Sequence, residues 1–300
     1  MHIRTDHATG EMTGEEVLLF QEFIYDRCHL SLRGSREAQM ISGIRRRMAA
    51  CGRTSPRAYF AAAAADEEEF DRLVGLVTTQ ETYFFRMPEQ FAMLGASILP
   101  AIEERAGRMA LGAPACGERR RMTLRAWSAG CSTGQEAWSL SMQILGSLRY
   151  PQAWNVQVLG TDLDPEAVVS ARRGVYGSGR MECVPPDLAA RYLEPVGEGL
   201  VTVAGDPREV TDFAVLNLRR INELPALREA FDVIMCRNVL IYLDLPAQQE
   251  LVTALSRCLR PGGHLFTGEG EVLHLYRHEL EIVEQGGCLC YRRPTGRADG

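Results

Sequence analysis

Three short stretches of this chain combine residue types and spacings that can do chemistry. The first is Trp127-Ser-Ala-Gly-Cys-Ser-Thr-Gly134-Gln-Glu136. A strand-like run, a glycine loop and a helix-like run follow one another, the layout of a site for a nucleotide-type ligand. Glycine lets the backbone approach the ligand, and the helix start offers free N–H groups. The glycines stand four apart, so this is not the dinucleotide fingerprint, and no Gly-Lys-Ser/Thr follows, so it is not a P-loop. Glu136 would repel a pyrophosphate. It suits a cationic, phosphate-free ligand such as S-adenosylmethionine, with its ammonium and sulfonium. The plain alternative is a tight strand-to-helix turn with no ligand.

The second stretch is Thr161-Asp162-Leu-Asp164. An acid at the tip of the next strand can accept both hydroxyls of a ribose. Asp164 precedes Pro165 and reads as a helix cap. The third runs from Phe231 to Tyr242, an apolar strand followed by Arg237, Asn238 and, after three apolar residues, Tyr242. In an open α/β sheet, ligands sit beyond the carboxyl ends of the strands, so these three side chains are placed to line a pocket. The alternatives are a surface charge at Arg237 and a core tyrosine at Tyr242. A further run, Thr78 to Phe91, sets Tyr83, Phe84 and Phe85 directly before Arg86, which neither a plain amphipathic helix nor a linker explains.

The elements that must hold these residues fall into two grammars. From Glu11 to about Val77 the apolar spacing is helical: Val17, Phe20 and Ile24, then Ile41, Ile44 and Met48, then Phe70, Leu73, Val74 and Val77. Thr13 with Glu16 predicts a capping box, and Ser55-Pro56 a helix start. Residues 88–121, with Pro100 and a Gly/Pro/Ala-rich tail, read as a linker. From Met122 strands and helices alternate: a strand to Trp127, a helix from Gln135 to Leu148, a strand from Val156 to Thr161, a helix from Pro165 to Arg173, a strand from Phe231 to Cys236 buried on both faces, a helix from Pro246 to Leu259, and a strand from His264 to Thr267. This predicts a doubly wound, mostly parallel sheet. Between Gly174 and Leu216 the rhythm breaks into short β pieces, including Leu200–Val203 and Glu209–Leu216, which predict a small antiparallel insert.

The 300-residue chain carries a net charge of −6, which disfavours a general nucleic-acid binder. No apolar run approaches the ~20 residues of a membrane span, and the N-terminus has no secretory core, so a cytoplasmic protein is expected. The nine cysteines form no C-x-x-C, which argues against structural zinc; reduced, partly buried thiols are expected, and no metal. Charge is uneven: between Arg27 and Arg57 stand eight arginines and one acid, Glu37, a net +7. That segment is either a solvated face or a dock for an acidic macromolecule.

The run at Thr78–Phe91, the loop from Trp127 to Ser139 and the segment from Phe231 to Leu243, in this order behind an arginine-bearing helical region, resemble the motifs of the CheR family of chemoreceptor glutamate O-methyltransferases. The resemblance spans about Glu11 to Arg293. It implies an α/β fold: a Rossmann-like S-adenosylmethionine-dependent methyltransferase sheet (122–294) with an N-terminal all-α domain (11–87) and a small antiparallel β insert (174–216). It implies S-adenosylmethionine as cofactor, S-adenosylhomocysteine as product, and methylation of glutamate side chains on receptor cytoplasmic helices by a monomer that neither enters the membrane nor binds nucleic acid. The remaining alternatives are a non-catalytic S-adenosylmethionine-binding regulatory module and a methyltransferase with another acceptor.

Carried over by position, the resemblance makes Gln80, Thr82, Arg86, Gly130, Glu136, Asp162, Asn217, Leu218, Asn238 and Val239 cofactor contacts. Gln80 stands where the family usually has Asn, which keeps the donor and acceptor but shifts the contact. Glu136 is implied to meet the amino group of the cofactor's methionine, Asp162 the ribose, Asn217-Leu218 the adenine and Asn238-Val239 the reactive end. Arg86 and Tyr242 are implied to orient the acceptor carboxylate, and Phe84 and Phe85 to anchor the helical lobe on the catalytic one. Arg45, Arg46 and Arg47 are expected to dock the receptor. Ala137, Trp138 and Gly268-Glu269-Gly270-Glu271 depart from the family pattern, and nothing is carried over at the last. The short turn Glu194–Gly199 implies an enzyme that needs no receptor tether peptide.

Overall fold

The computed structural model describes residues 12–78, 81–112 and 121–295. The chain divides into two compact units, Met1–Thr79 and Gln80–Gly300.

The first unit is helical: α1 (Gly14–Cys28), α2 (Glu37–Ala50), α3 (Pro56–Ala65) and α4 (Glu67–Val77). The Thr13–Glu16 capping box closes α1 in both directions, Glu16 N–H to Thr13 Oγ1 and Thr13 N–H to the Glu16 carboxylate. Pro56 opens α3, but Ser55 makes no side-chain cap bond. Asp66 caps α4, accepting from the N–H groups of Glu68 and Glu69. The predicted stripes supply the core: Phe20, Ile24, Ile44, Leu73, Val74 and Val77 are buried.

The second unit opens with helix where a linker was expected. Residues 88–112 form α5 (Pro88–Met93), a π turn (Leu94–Ile98) and α6 (Leu99–Gly112). Phe91, Leu94, Ile98, Leu99 and Ile102 are buried along it. Pro100 reads as a breaker in sequence, but it stands in the first turn after a π segment, where the regular ladder is already interrupted. Of the Gly/Pro/Ala-rich stretch expected as linker, 107–117, residues 107–112 lie in α6 and 113–117 fall outside the described residues. The aromatics of the opening run belong to this unit's core. The Phe84 ring meets Tyr176 edge-on at 5.0 Å and Phe85 lies 4.9 Å from Phe91. The Phe85 N–H donates to Ser139 Oγ at 2.9 Å.

The predicted alternation follows: β1 (Met122–Ala129), α7 (Gln135–Ser147), β2 (Trp154–Asp162), α8 (Pro165–Arg173), β3 (Val175–Gly177), α9 (Pro186–Tyr192), β4 (Leu193–Gly197), β5 (Leu200–Val203), α10 (Asp206–Val210), β6 (Thr211–Val215), β7 (Phe231–Cys236), α11 (Leu245–Cys258), β8 (Leu259–Thr267), β9 (Glu281–Gln285) and β10 (Cys288–Arg292). The seven-stranded sheet has the order β6-β2-β1-β7-β8-β10-β9. Its first five strands are parallel and the last two pairings antiparallel. Every residue of β7 is buried, as its mostly apolar character predicted, and so is its one charged residue, Asp232. The order reverses at β1, with β2 on one side and β7 on the other, which makes the carboxyl edge there a topological switch point.

The insert is the three-stranded antiparallel sheet β3-β5-β4, with β4 and β5 joined by a tight turn at Glu198-Gly199. It is smaller than expected. The piece from Glu209 to Leu216 does not belong to it: β6 pairs parallel with β2, from Thr211 opposite Val158 to Val215 opposite Asp162. A short strand bounded by turns has the same pattern in a hairpin or at the edge of a parallel sheet, and only its partner distinguishes them.

Candidate functional site

At the switch point the backbone after β1 turns sharply. Gly130 and Cys131 both donate their N–H to the Thr161 carbonyl at 2.8 Å, pinning the loop to the end of β2. Gly130 has φ +84°, and a Cβ there would stand 2.5 Å from Val239 Cγ2. Gly134 has φ +97° and would meet Ala171 Cβ at 2.6 Å. Both positions demand glycine for conformation and for space. The loop thus packs against Val239 on one side and α8 on the other.

Asp162, at the tip of β2, accepts from the N–H of Ser132 at 2.7 Å and of Asp164 at 3.0 Å. Burial raises its carboxyl above the ordinary range, against the pull of those N–H groups. Asp164 caps α8 through the Glu166 N–H at 2.8 Å, as expected. Asn217 accepts from the Arg219 N–H and caps a short turn after β6, with Leu218 half-buried beside it. The Leu216 N–H reaches the Asp162 carbonyl at 2.9 Å, so this pair sits next to the β2 tip.

Glu136 is buried near the start of α7 and carries two partners the sequence did not reveal. Ser128 Oγ donates to its Oε1 at 2.7 Å, and Arg237 Nε donates to its Oε2 at 2.6 Å. Arg237 is neither a surface charge nor a plain pocket wall: its side chain is 2% exposed. Its Nη1 donates to the Arg86 carbonyl and to Gln90 Oε1, the latter at 3.1 Å, and its guanidinium lies 5.1 Å from the Phe91 ring centre.

Asn238 takes a left-handed conformation, φ +59°. What holds it there is Glu271, a residue the departure from the family pattern had set aside. Its buried carboxylate accepts from the N–H of Asn238 at 2.7 Å, Gly268 at 2.7 Å and Ile241 at 3.1 Å. The signal was present, since a carboxylate directly after a Gly-x-Gly run at a strand end can gather loop N–H groups. Burial raises its carboxyl, opposed by those same N–H groups. Glu271 thereby shapes the segment from Asn238 to Tyr242, where Tyr242 is half-buried on a single 3-10 turn.

Thr82 is half-buried ahead of Phe84. With Tyr83, Gln135, Tyr176, Gly177 and Met181 it lines a cavity of about 410 Å3, within the size range of ligand pockets. The Arg86 guanidinium donates to the Glu81 carbonyl at 3.0 Å and stands 5.8 Å from the Tyr83 ring centre. Gln80 lies outside the described residues. In the first unit Arg45 and Arg46 are exposed on α2. Arg47 is not available in the same way: its Nε donates to Glu69 Oε1 at 2.9 Å, its Nη2 to Glu69 Oε2, and its side chain is 17% exposed.

The second unit therefore brings Gly130, Glu136, Asp162, Asn217, Leu218, Asn238 and Val239 to the carboxyl edge of β1, β2, β6 and β7. Carboxylates for an ammonium and a ribose, and a glycine backbone with no side chain in the way, fit S-adenosylmethionine. Comparison with known proteins decides the family. The description "CheR methyltransferase, SAM binding domain" matches residues 80–286, and "CheR methyltransferase, all-alpha domain" matches residues 15–78. The chain belongs to the CheR methyltransferase family. Its cofactor is S-adenosylmethionine, and it is a methyltransferase. Among its CheR relatives, "Chemotaxis protein methyltransferase 1" of Pseudomonas aeruginosa is 32% identical over 230 residues, 74% of this chain and 77% of that one. "Chemotaxis protein methyltransferase 2" of the same organism is 30% identical over 285 residues, 93% of each chain. "Chemotaxis protein methyltransferase" of Escherichia coli is 30% identical over 256 residues, 83% of this chain and 82% of that one. Among the described residues no helix is long and apolar enough to cross a membrane.

Proposed function

We propose that this CheR-family enzyme transfers the methyl group of S-adenosylmethionine to glutamate side chains on the cytoplasmic helices of chemoreceptors, giving glutamyl methyl esters. The observation that carries this reading is that both family domains are matched, the all-alpha domain as well as the cofactor-binding one, in a chain that is similar to chemotaxis protein methyltransferases over most of their length. When bound, S-adenosylmethionine supplies an electrophilic methyl on a sulfonium.

The protein's part is to bind, align and keep water out. A glutamate has a pKa of about 4.3 and is already anionic at neutral pH, so no strong general base is required. One O–C bond forms as one S–C bond breaks, and no proton moves. Glu136 would receive the ammonium, Asp162 the ribose hydroxyls, and Asn217 and Leu218 would border the adenine. Thr82 and Gln80 complete the cofactor side. Asn238 and Val239 would flank the reactive end, while Arg86 and Tyr242 would orient the incoming carboxylate. Alignment of this kind can supply up to about 7–11 kcal/mol of barrier lowering. Arg45 and Arg46 steer the acidic receptor segment by charge. The tight β4–β5 turn supports an enzyme that works without a receptor tether peptide.

The test is incubation with labelled S-adenosylmethionine and a panel of receptor cytoplasmic fragments, followed by base-labile release of methyl and mass spectrometry of the fragment. Esters on glutamates are expected. Cofactor binding with no ester formed on any fragment would defeat the reading.

A further inference from the structure

The residue that organises this site is one that meets neither the cofactor nor the acceptor in the reading above. Arg237 leaves the end of β7 and turns back into the protein. Its three donor contacts reach three separate elements: Glu136 on α7, the backbone carbonyl of Arg86 in the opening run, and Gln90 on α5. Gln90 in turn donates its Nε2 to the Thr267 carbonyl at the end of β8, 2.8 Å away. Phe91 supplies an aromatic face beside the guanidinium. Glu136 is fixed from its other oxygen by Ser128, which is fully buried.

We infer that Arg237 is a positioning residue: its guanidinium sets the placement of Glu136 and of the Arg86 backbone together, and so preorganises the part of the cleft that receives the amino-acid half of the cofactor. The planar fork is what permits this. A guanidinium can hold a carboxylate through one edge and two further acceptors through another, whereas an ammonium on a flexible stem cannot keep that geometry. The run that begins at Glu81 contains no regular element before α5. Within that stretch, the Arg86 carbonyl is joined to the strand ends through Arg237 and the Phe85 N–H to α7 through Ser139. Losing the first anchor frees the segment that carries Thr82 and Arg86, and at the same time leaves Glu136 with Ser128 alone.

This inference rests on the cofactor side of the proposed function and not on the identity of the acceptor, so it is tested by binding alone. Two probes separate the halves of the ligand. S-adenosylhomocysteine carries the amino-acid tail; methylthioadenosine keeps the nucleoside and thioether and lacks it. Calorimetry on Arg237→Lys, corrected for the folded fraction, is expected to show S-adenosylhomocysteine binding weakened about tenfold, as befits the loss of a multidentate charge-assisted contact, and methylthioadenosine within about twofold of the parent. Gln90→Met, which removes one guanidinium partner and leaves the ion pair, is expected to weaken S-adenosylhomocysteine severalfold with the same selectivity. Asp232→Asn is the control for a purely structural charge. Asp232 is at the opposite end of β7, 3% exposed and held by Arg105, Arg260 and the Arg125 N–H. It is expected to lower stability without changing either affinity. Equal losses for the two probes in Arg237→Lys would show general damage to the cleft and overturn the inference. So would unchanged binding of S-adenosylhomocysteine, or tighter binding, which would mean that Arg237 competes with the ligand's ammonium for Glu136.

Discussion

Glu69 of α4 offers the sharpest energetic test in the helical unit. Its carboxylate side chain is 6% exposed and accepts from Arg47 through both Nε and Nη2, and from the hydroxyl of Tyr59, itself fully buried, at 2.8 Å. Breaking a buried ion pair by removing one partner costs about 3–5 kcal/mol. Arg47 is 17% exposed and can turn to water, so the lower end, about 3 kcal/mol, applies. Tyr59 would lose its acceptor in a dry site for about 1 kcal/mol more. Glu69→Ala is therefore expected to destabilise the helical unit by about 4 kcal/mol, and Tyr59→Phe, which leaves the ion pair intact, by about 1 kcal/mol. The triple change Arg47→Met, Glu69→Leu, Tyr59→Phe is expected to stay near the parent, because an apolar set needs no charge partner. The assay is urea unfolding of the full chain, with hydrogen exchange read on peptides from residues 14–77. Burial alone would raise the Glu69 carboxyl, but the hydrogen bonds from Arg47 and Tyr59 outweigh it and hold it below the ordinary value of 4.5. A lowered carboxyl contributes stability above the unfolded value that is lost as pH falls through the folded one, so the helical unit should weaken below about 4.5. A Glu69→Ala cost under about 1 kcal/mol, or a triple variant as damaged as the single, would refute the reasoning.

The other predictions concern docking, the loop and pH. Arg45→Glu with Arg46→Glu is expected to raise the receptor KM about tenfold at low salt and less at high salt, with the KM for S-adenosylmethionine unchanged; salt-independent kinetics equal to the parent would remove these residues from docking. Gly130→Ala forces a side chain into φ +84° and against Val239, and is expected to cost about 2 kcal/mol of stability and at least tenfold in cofactor affinity, part of it restored by adding Val239→Ala. Burial, with Arg292 and Arg105 nearby, pushes the His264 imidazole down to about 4 from 6.5. The unfolded chain takes up that proton first, so stability of the second unit should fall as pH drops from about 6.5 to about 4. Thermal scans of His264→Phe should show a flatter decline over that interval.

Much of this was legible from local pattern. The capping box at Thr13, the Asp164 cap, the buried strand Phe231–Cys236 and the helix Pro165–Arg173 all depend on residues within a few positions of one another. The misread segments share a cause. Residues 88–112 were obscured by Pro100 beside a π turn, and the strand at Thr211–Val215 by a partner more than fifty residues away in β2. Arg47 looked equivalent to Arg45 and Arg46 because nothing local marks it as the one facing Glu69, twenty-two residues on.

By itself the sequence determined which residues could bind a cationic cofactor, the order of β1, α7, β2, α8, β7, α11 and β8, and where backbone freedom is needed, because these follow from side-chain chemistry and short-range periodicity. Only the tertiary structure decided how those residues are held. Arg237 reaches Arg86 across 151 positions and Glu136 across 101, and Glu271 reaches Asn238 across 33. Such partners are chosen by sheet order and by the need of every buried charge and N–H group to find a counterpart, and neither is written in any local window of the chain.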